Sequence, residues 1–131
     1  MQFNMENKYY TPILNEFFDG FEYECFDLDW NKTTFDFRDL EIIDDEIREG
    51  KIRVKHLDRE DIESLGWELR TDANADKHIP EYTIERWYFK TYSNDFCTIY
   101  DDSAVDEYVF RGIIKNKSEL KKLMVQLGIL E

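Results

Sequence analysis

The chain of 131 residues is 42% hydrophobic and 16% aromatic, which is enough apolar material for the core of one domain. Its 30 acidic and 17 basic residues give a net charge of −13, and a field of this sign opposes binding to a phosphate backbone. Five glycines and two prolines are too few for a low-complexity linker, and no apolar run reaches the length of a membrane span or follows a basic leader.

We therefore expect a single domain over residues 1–131, with residues 1–12 as a flexible arm, in the cytoplasm. Nucleic acid and membrane are not expected as direct partners, and a homo-oligomer is left open. Cys25 and Cys97 lie far apart in sequence and belong to no Cys-x-x-Cys pair, so we expect two free thiols in a reducing compartment.

The acidic residues are concentrated early in the chain. Residues 1–49 hold 14 acidic and 4 basic residues, whereas residues 50–131 hold 16 and 13. This distribution predicts an acidic surface that favours a basic protein partner, including a cleft that normally holds nucleic acid. The alternative is that the charge only keeps the protein soluble.

Residues 13–18 are predicted as a short strand or a lead-in, and residues 21–37 as a hairpin that turns at Asn31-Lys32, with Phe35 and Phe37 pointing inward. The apolar alternation changes phase near Cys25, which indicates a bulge or a strand covered on both faces.

Residues 39–49 are predicted as a helix that Asp39 caps and that ends at Gly50, with Leu40, Ile43 and Ile47 on one stripe. The next segment has the clearest pattern of the chain, because the alternation of Ile52 and Val54 indicates a strand.

Asp58 then caps a short helix, which ends at Gly66, and Trp67 follows as a core anchor. Residues 68–70 continue as a strand, and residues 71–80 form a polar loop.

Residues 82–92 are predicted as one continuous strand, joined through Asn94-Asp95 to a return strand at 96–100. A last strand covers residues 105–114, and a helix covers residues 116–127 with Asn116 as its cap. These elements predict an α+β fold, in which a mainly antiparallel, twisted sheet packs against the C-terminal helix and one or two short helices.

Candidate metal and catalytic groups give weak patterns. Asp27, Asp29 and Asn31 have the spacing that opens a calcium-binding EF loop, but the glycine and the final glutamate of that loop are missing. His56 and His78 with two cysteines do not make a zinc site. We therefore expect no metal, no cofactor and no catalytic residue.

Two sets of binding residues remain. The acids of the first third form the first set, as candidates for partner contact: Glu22, Glu24, Asp27, Asp29, Asp36, Asp44, Asp45 and Glu46. The second set would bind a nucleotide by stacking and charge, with the alternative that these aromatic residues only face a core: Arg86, Tyr88, Lys90 and Tyr92.

Three segments, GFEYE at 20–24, VKHLDREDIESLGW at 54–67 and GIIKNKSEL at 112–120, together resemble short uncharacterised proteins encoded by phages and prophages of gut Bacteroidetes. The resemblance implies a phage product that acts in the host cytoplasm and brings no activity or site residues.

The function expected from these observations is a non-enzymatic acidic phage accessory protein that binds a host or phage macromolecule, for example to inhibit a host defence or nucleic-acid enzyme. The alternatives are a nucleotide or small-molecule sponge and a carboxylate-dependent metal hydrolase.

Overall fold

The computed structural model describes residues 8–72, 78–102 and 108–130. The chain divides into two compact units, residues 1–56 and 57–131, and each unit has a sheet and a hydrophobic core of its own. The α+β class is confirmed, since both sheets are antiparallel and helices complete each unit. The prediction that residues 1–131 form a single domain stays a prediction.

Over residues 8–56, the sheet of the first unit has four strands in the order β1-β4-β2-β3. Their bounds are Tyr9–Tyr10 for β1, Glu22–Asp27 for β2, Asp29–Thr34 for β3 and Ile52–Lys55 for β4. Helix α1 spans Leu40–Arg48, and short 3₁₀ turns span Leu14–Glu16 and Phe37–Asp39. Within the predicted arm at 1–12, Tyr9 and Tyr10 pair with β4, and residues 1–7 lie outside the described part, so the arm stays a prediction.

The β2–β3 hairpin is confirmed, but its turn is not at Asn31-Lys32. The register runs without a break from Glu22 opposite Thr34 to Asp27 opposite Asp29, so Leu28 alone forms the apex. No bulge accounts for the change of phase in the sequence. The phase changes because Phe26 and Trp30, on either side of the apex, lie on the outer face of the sheet, which is only partly covered.

The core of the first unit lies between the sheet and α1. Its buried residues are Phe21, Tyr23, Phe35, Ile43, Ile52 and Val54. Phe37, predicted to point inward, is 60% exposed because the chain leaves β3 at Thr34 and enters a 3₁₀ turn. Asp39 makes no capping bond, whereas Asp36 accepts a bond of 2.9 Å from the backbone N–H of Arg38 and begins the helical segment.

In the described residues of the second unit, five strands form a meander in the order β5-β6-β7-β8-β9. Their bounds are Glu68–Leu69, Glu81–Ile84, Trp87–Thr91, Phe96–Asp101 and Tyr108–Ile113. Two helices, α2 at Arg59–Ser64 and α3 at Lys117–Gln126, pack on one face. Residues 73–77 of the predicted loop at 71–80 and residues 105–107 of the predicted last strand lie outside the described residues.

The predicted continuous strand 82–92 is wrong. The chain reverses at Glu85 and Arg86, where Glu85 has φ +51°, and β6 pairs with β7 through Ile84 opposite Trp87. The next reversal, at Asn94-Asp95, is confirmed, and both residues there have positive φ. Glycine and asparagine are the usual residues at such positions, so Glu85 gives no sequence signal of a turn.

The helix boundaries of the second unit agree with the sequence prediction. The Asp58 carboxylate accepts from the N–H of Asp61 at 2.9 Å, and the Asn116 side chain accepts from the N–H of Glu119 at 2.9 Å. Each bond satisfies a free amide of a first helical turn. Trp67 is 1% exposed, which confirms it as a core anchor.

The core of the second unit lies between these helices and the inner face of the sheet. Its buried residues are Ile62, Trp67, Tyr82, Phe89, Cys97, Ile99, Ile114, Leu120 and Met124.

Candidate partner-binding surface

The acidic candidates of the first unit lie on different faces of its sheet. Glu22 and Glu24 alternate with Tyr23 and therefore point away from the core. Cys25 points toward α1, because its thiol donates to the Glu46 carboxylate at 3.2 Å. The structure therefore does not bring the eight candidates into one cluster.

Several of the candidates are already neutralised. Glu24 forms an ion pair with Arg53 at 2.7 Å, and both side chains are mostly buried. Asp36 pairs with Arg38 at 3.0 Å, and hydrogen bonds from Arg38 lower the pKa of Asp36 to about 2. Such carboxylates are less available to a partner.

On α1, Asp44 is paired with Arg48 at 2.6 Å. Three candidates, Asp27, Asp29 and Asp45, are exposed and form no ion pair within the part of the chain that the structure describes. These three are the carboxylates that a basic partner can reach most readily.

The sequence is much more acidic before residue 49 than after it, but the two units carry nearly equal net charges. Residues 1–56 contain 14 acidic and 7 basic residues, and residues 57–131 contain 16 and 10, so the net charges are −7 and −6. The difference arises because Lys51, Arg53 and Lys55, in or next to β4, belong to the same sheet as the early acids.

Arg53 is the centre of a stack on the outer face of this sheet. Its guanidinium carbon lies 3.7 Å from the ring centroid of Tyr9 and 4.2 Å from that of Trp30. With the Glu24 ion pair, these contacts join residues of all four strands. The stack stabilises the sheet and fixes the position of Trp30.

The tip of the β2–β3 hairpin is the most exposed apolar feature of the first unit. Leu28 at the apex is 96% exposed and has φ +67°, and Phe26 is 44% exposed. The rings of Phe26 and Trp30 meet edge to face with centroids 5.3 Å apart. The exposed carboxylates Asp27 and Asp29 flank the apex, so charge and apolar surface occur together.

Sequence reasoning missed this tip, although its signal was present. The change in alternation at Phe26, Leu28 and Trp30 marks apolar residues that do not belong to the core face.

Neither thiol has the properties of a nucleophile. Burial, followed by the hydrogen bond to Glu46, raises the pKa of Cys25 to about 11. Burial raises the pKa of Cys97 to about 12, and Cys97 is 2% exposed. A reactive thiol needs a lowered pKa and access to solvent, so both groups remain protonated near neutral pH. Both cysteines are free, as the sequence predicts.

The alternative ligand-binding residues belong to the second unit and lie in three places. Tyr88 and Lys90 share the outer face of β7, whereas Arg86 is in the turn before it and forms an ion pair with Asp101 at 3.3 Å. Tyr92 follows the strand and contacts the Phe96 ring, with centroids 5.6 Å apart. A continuous strand over 82–92 would place Arg86 on the same face as Tyr88, but the strand is interrupted at residues 85 and 86.

The outer face of this sheet has a row of tyrosines on three adjacent strands. Tyr88 stacks on Tyr100 with ring centroids 5.0 Å apart and planes 8° from parallel. Tyr108 on β9 meets Tyr100 edge to face at 6.3 Å. The row is therefore an aromatic surface that faces away from the helices.

Next to this row lies a buried carboxylate that sequence reasoning missed. Glu81 is 6% exposed and accepts hydrogen bonds from Arg70 and from the Tyr100 hydroxyl, and Lys90 Nζ lies 3.8 Å from it. Burial and the bond to Glu81 raise the pKa of Tyr100 above its usual value. Arg70 and Lys90 balance the negative charge of the buried Glu81, so this carboxylate has the features of one that stabilises the fold.

Each histidine and each residue of the EF-like spacing has a describable place in the fold. The His56 ring packs on Tyr10 with centroids 4.8 Å apart, and His78 is exposed. The Asn31 amide donates to the backbone carbonyls of Asp27 and Asp29, at 3.3 and 3.0 Å, and so takes part in the hairpin.

Over residues 8–72, 78–102 and 108–130, no three His, Cys, Asp or Glu side chains are placed to hold a metal ion. In the same ranges no helix has the length and apolar character needed to cross a membrane. Comparisons with protein-family models, with curated proteins and with solved structures give no match to this chain.

Proposed function

We propose that the protein is a non-enzymatic acidic binding protein that recognises a basic surface on a host or phage protein. The observation that carries this proposal is the β2–β3 tip, where Asp27 and Asp29 are exposed beside Leu28. Buried protein interfaces combine an apolar centre with a polar rim, and this end of the hairpin offers both.

The rest of the first unit is consistent with a contact surface. Its described residues include six exposed large apolar side chains: Ile13, Phe26, Leu28, Phe37, Leu40 and Ile42. Exposed apolar groups among charged ones are typical of an interaction site. Together with a net charge of −7 in residues 1–56, they favour a basic partner.

A concrete form of this function is inhibition of a host defence or nucleic-acid enzyme. Such enzymes present basic clefts to phosphate groups, and exposed carboxylates compete for the same cations. The resemblance to phage and prophage proteins of gut Bacteroidetes supports this setting. In this proposal the protein acts in the host cytoplasm, as a phage accessory product.

The test is a pull-down of the tagged protein from a Bacteroidetes host lysate, with identification of bound proteins by mass spectrometry. Each identified partner is purified, and its Kd is measured at low and at high salt. The proposal expects one dominant partner whose binding weakens as salt screens the exposed charges.

Two triple variants with the same change in net charge separate this surface from general acidity. Asp27→Lys, Asp29→Lys and Asp45→Lys reverse the exposed acids of the first unit. The matched control reverses three exposed acids of the second unit through Glu60→Lys, Glu68→Lys and Asp102→Lys. Loss of binding in the first variant and retention in the control supports the proposal, whereas full binding by the first variant refutes it.

The tyrosine row favours a second candidate, a nucleotide-binding protein. Tyr88, Tyr100 and Tyr108 offer aromatic surface, and Lys90 and Arg111 lie in the neighbouring row of the same face. A thermal shift with nucleoside mono- and triphosphates that disappears in Lys90→Ala would establish this function. Equal melting temperatures with and without nucleotide would remove it.

A further inference from the structure

The apex of the β2–β3 hairpin combines two unfavourable features at one residue. Leu28 adopts φ +67°, a left-handed conformation in which the Cβ of an L-residue is crowded. Its side chain is also 96% exposed, so no packing in the described chain compensates for the conformation. Glycine, asparagine or aspartate would relieve the crowding, and each would also remove an apolar group from water.

The backbone of the tip nevertheless has hydrogen bonds of its own, and two aromatic rings pack below it. The Asp29 carboxylate accepts from the N–H of Trp30 at 2.7 Å, and the Asn31 amide donates to the backbone carbonyls of Asp27, across the turn, and Asp29, in its own strand. The Phe26 and Trp30 rings pack against each other below the apex. These contacts hold the backbone on both sides of Leu28, so the backbone of the tip loses little conformational freedom when it binds.

We infer that Leu28 is an anchor residue that inserts into an apolar pocket of the protein partner, while basic side chains at the pocket rim pair with Asp27 and Asp29. The inference rests on the proposed function and specifies the kind of surface that it recognises. Backbone strain at an exposed position is typical of residues retained for binding, because folding alone gives no reason to keep it.

Charge complementarity selects a protein over a lipid surface as the occupant. Insertion of Leu28 into a bilayer would carry Asp27 and Asp29 into the headgroup region, where anionic lipids repel them and carboxylates lose water. A protein pocket with lysine or arginine at its rim replaces that water with ion pairs. The two carboxylates therefore favour a basic rim around an apolar centre.

The first experiment places a photo-crosslinking residue at the apex. Leu28→p-benzoylphenylalanine and, as a matched control, Val125→p-benzoylphenylalanine are irradiated in host lysate, because Val125 is also exposed, on α3 of the other unit. The inference expects an adduct specific to position 28 that maps to a peptide lining an apolar pocket with basic neighbours. An adduct pattern shared by both positions would contradict it.

The second experiment uses the purified partner and the variant Leu28→Gly, with Val125→Ser as the control. Leu28→Gly should melt at or above the temperature of the wild type, because the strain is relieved, and should bind at least about tenfold more weakly. Val125→Ser should bind like the wild type. A Leu28→Gly protein that binds within about twofold of the wild type overturns the anchor role.

The two proposals fail in different ways. If the triple charge reversal abolishes binding but Leu28→Gly does not, the proposed function stands and the anchor is wrong. If the wild type has no protein partner, both are wrong. Sedimentation with phosphatidylcholine vesicles in the wild type, lost in Leu28→Gly, would show that the apex serves a membrane and would overturn the protein pocket.

Discussion

The hydrogen bond between Trp67 and Met124 allows a sharp test of the core of the second unit. The indole Nε1 donates to the Met124 sulfur at 3.2 Å, and the two residues are 1% and 0% exposed. Met124→Leu conserves volume, and such a swap alone usually costs under about 1.5 kcal/mol. It also leaves a buried N–H without an acceptor, which adds about 1 kcal/mol, the lower end of the usual range because sulfur accepts weakly.

A double-mutant cycle isolates that second contribution. Trp67→Phe removes the N–H, so Met124→Leu in that background should cost only its packing term, and the coupling should be about 1 kcal/mol. Urea unfolding followed by far-UV circular dichroism gives the four free energies. A coupling below about 0.3 kcal/mol, within ordinary additivity error, would show that the sulfur does not stabilise the indole.

Three further predictions concern caps, titration and backbone conformation. Asp58→Ala and Asn116→Ala should each lower the free energy of unfolding by about 1 kcal/mol in urea titrations, and Asp58→Asn should restore most of it. Burial raises the thiol pKa of Cys25 from 9.0 to about 11 and that of Cys97 to about 12. Because the folded state favours the protonated thiols, the two thiols stabilise the protein fully below pH 9, and this stabilisation is lost as the pH rises toward 12. Urea titrations from pH 7 to 11.5 should therefore show a decline above pH 9 that is shallower in the variant Cys25→Ala, Cys97→Ala; equal slopes would contradict the assignment. Gly66→Ala should lower the free energy of unfolding by about 1–2 kcal/mol because Gly66 has φ +106°. An added Cβ would lie 3.6 Å from Ile84 Cδ1, an ordinary contact, so the backbone conformation alone causes the cost. An unchanged melting temperature would refute this.

The helices and their ends were predictable because their signals are local. Asp58 and Asn116 cap helices whose free amides lie within three residues, and Gly66 and Gly128 follow them with positive φ. The helix α1 was predicted at nearly its observed bounds, but the capping residue was not. Asp36 begins a 3₁₀ turn before the helix, and apolar periodicity does not detect such a turn.

The strand reversals were harder to predict because they depend on pairing between whole strands. Neither Leu28 nor Glu85 is a residue type that indicates a turn, and Asn31-Lys32, which does resemble one, lies within β3. The error at Glu85 changed the interpretation of the ligand-binding candidates, since a continuous strand would place Arg86 beside Tyr88. The buried Glu81 was not predictable either, because its partners Tyr100 and Lys90 come from two other strands.

The candidate surface was predicted in composition but not in geometry. The sequence identified Asp27 and Asp29 among eight acids, yet it gave no reason to separate them from Glu24, which a cation on another strand neutralises. To tell exposed carboxylates from paired ones, one must know the register of β2 with β4, in which Glu24 lies opposite Arg53. Such a pairing across 29 residues has no local signature.

The strand order of the first unit has a consequence for synthesis on the ribosome. β4 lies between β1 and β2, although it is the last of the four strands in the chain, and Tyr9 pairs with Lys55. A nascent chain that ends before residue 52 can therefore form the β2–β3 hairpin but lacks the strand that joins β1 to it, and β1 has no neighbour until β4 has emerged. The second unit is a meander in which each strand pairs with the one made just before it, so its sheet can grow strand by strand.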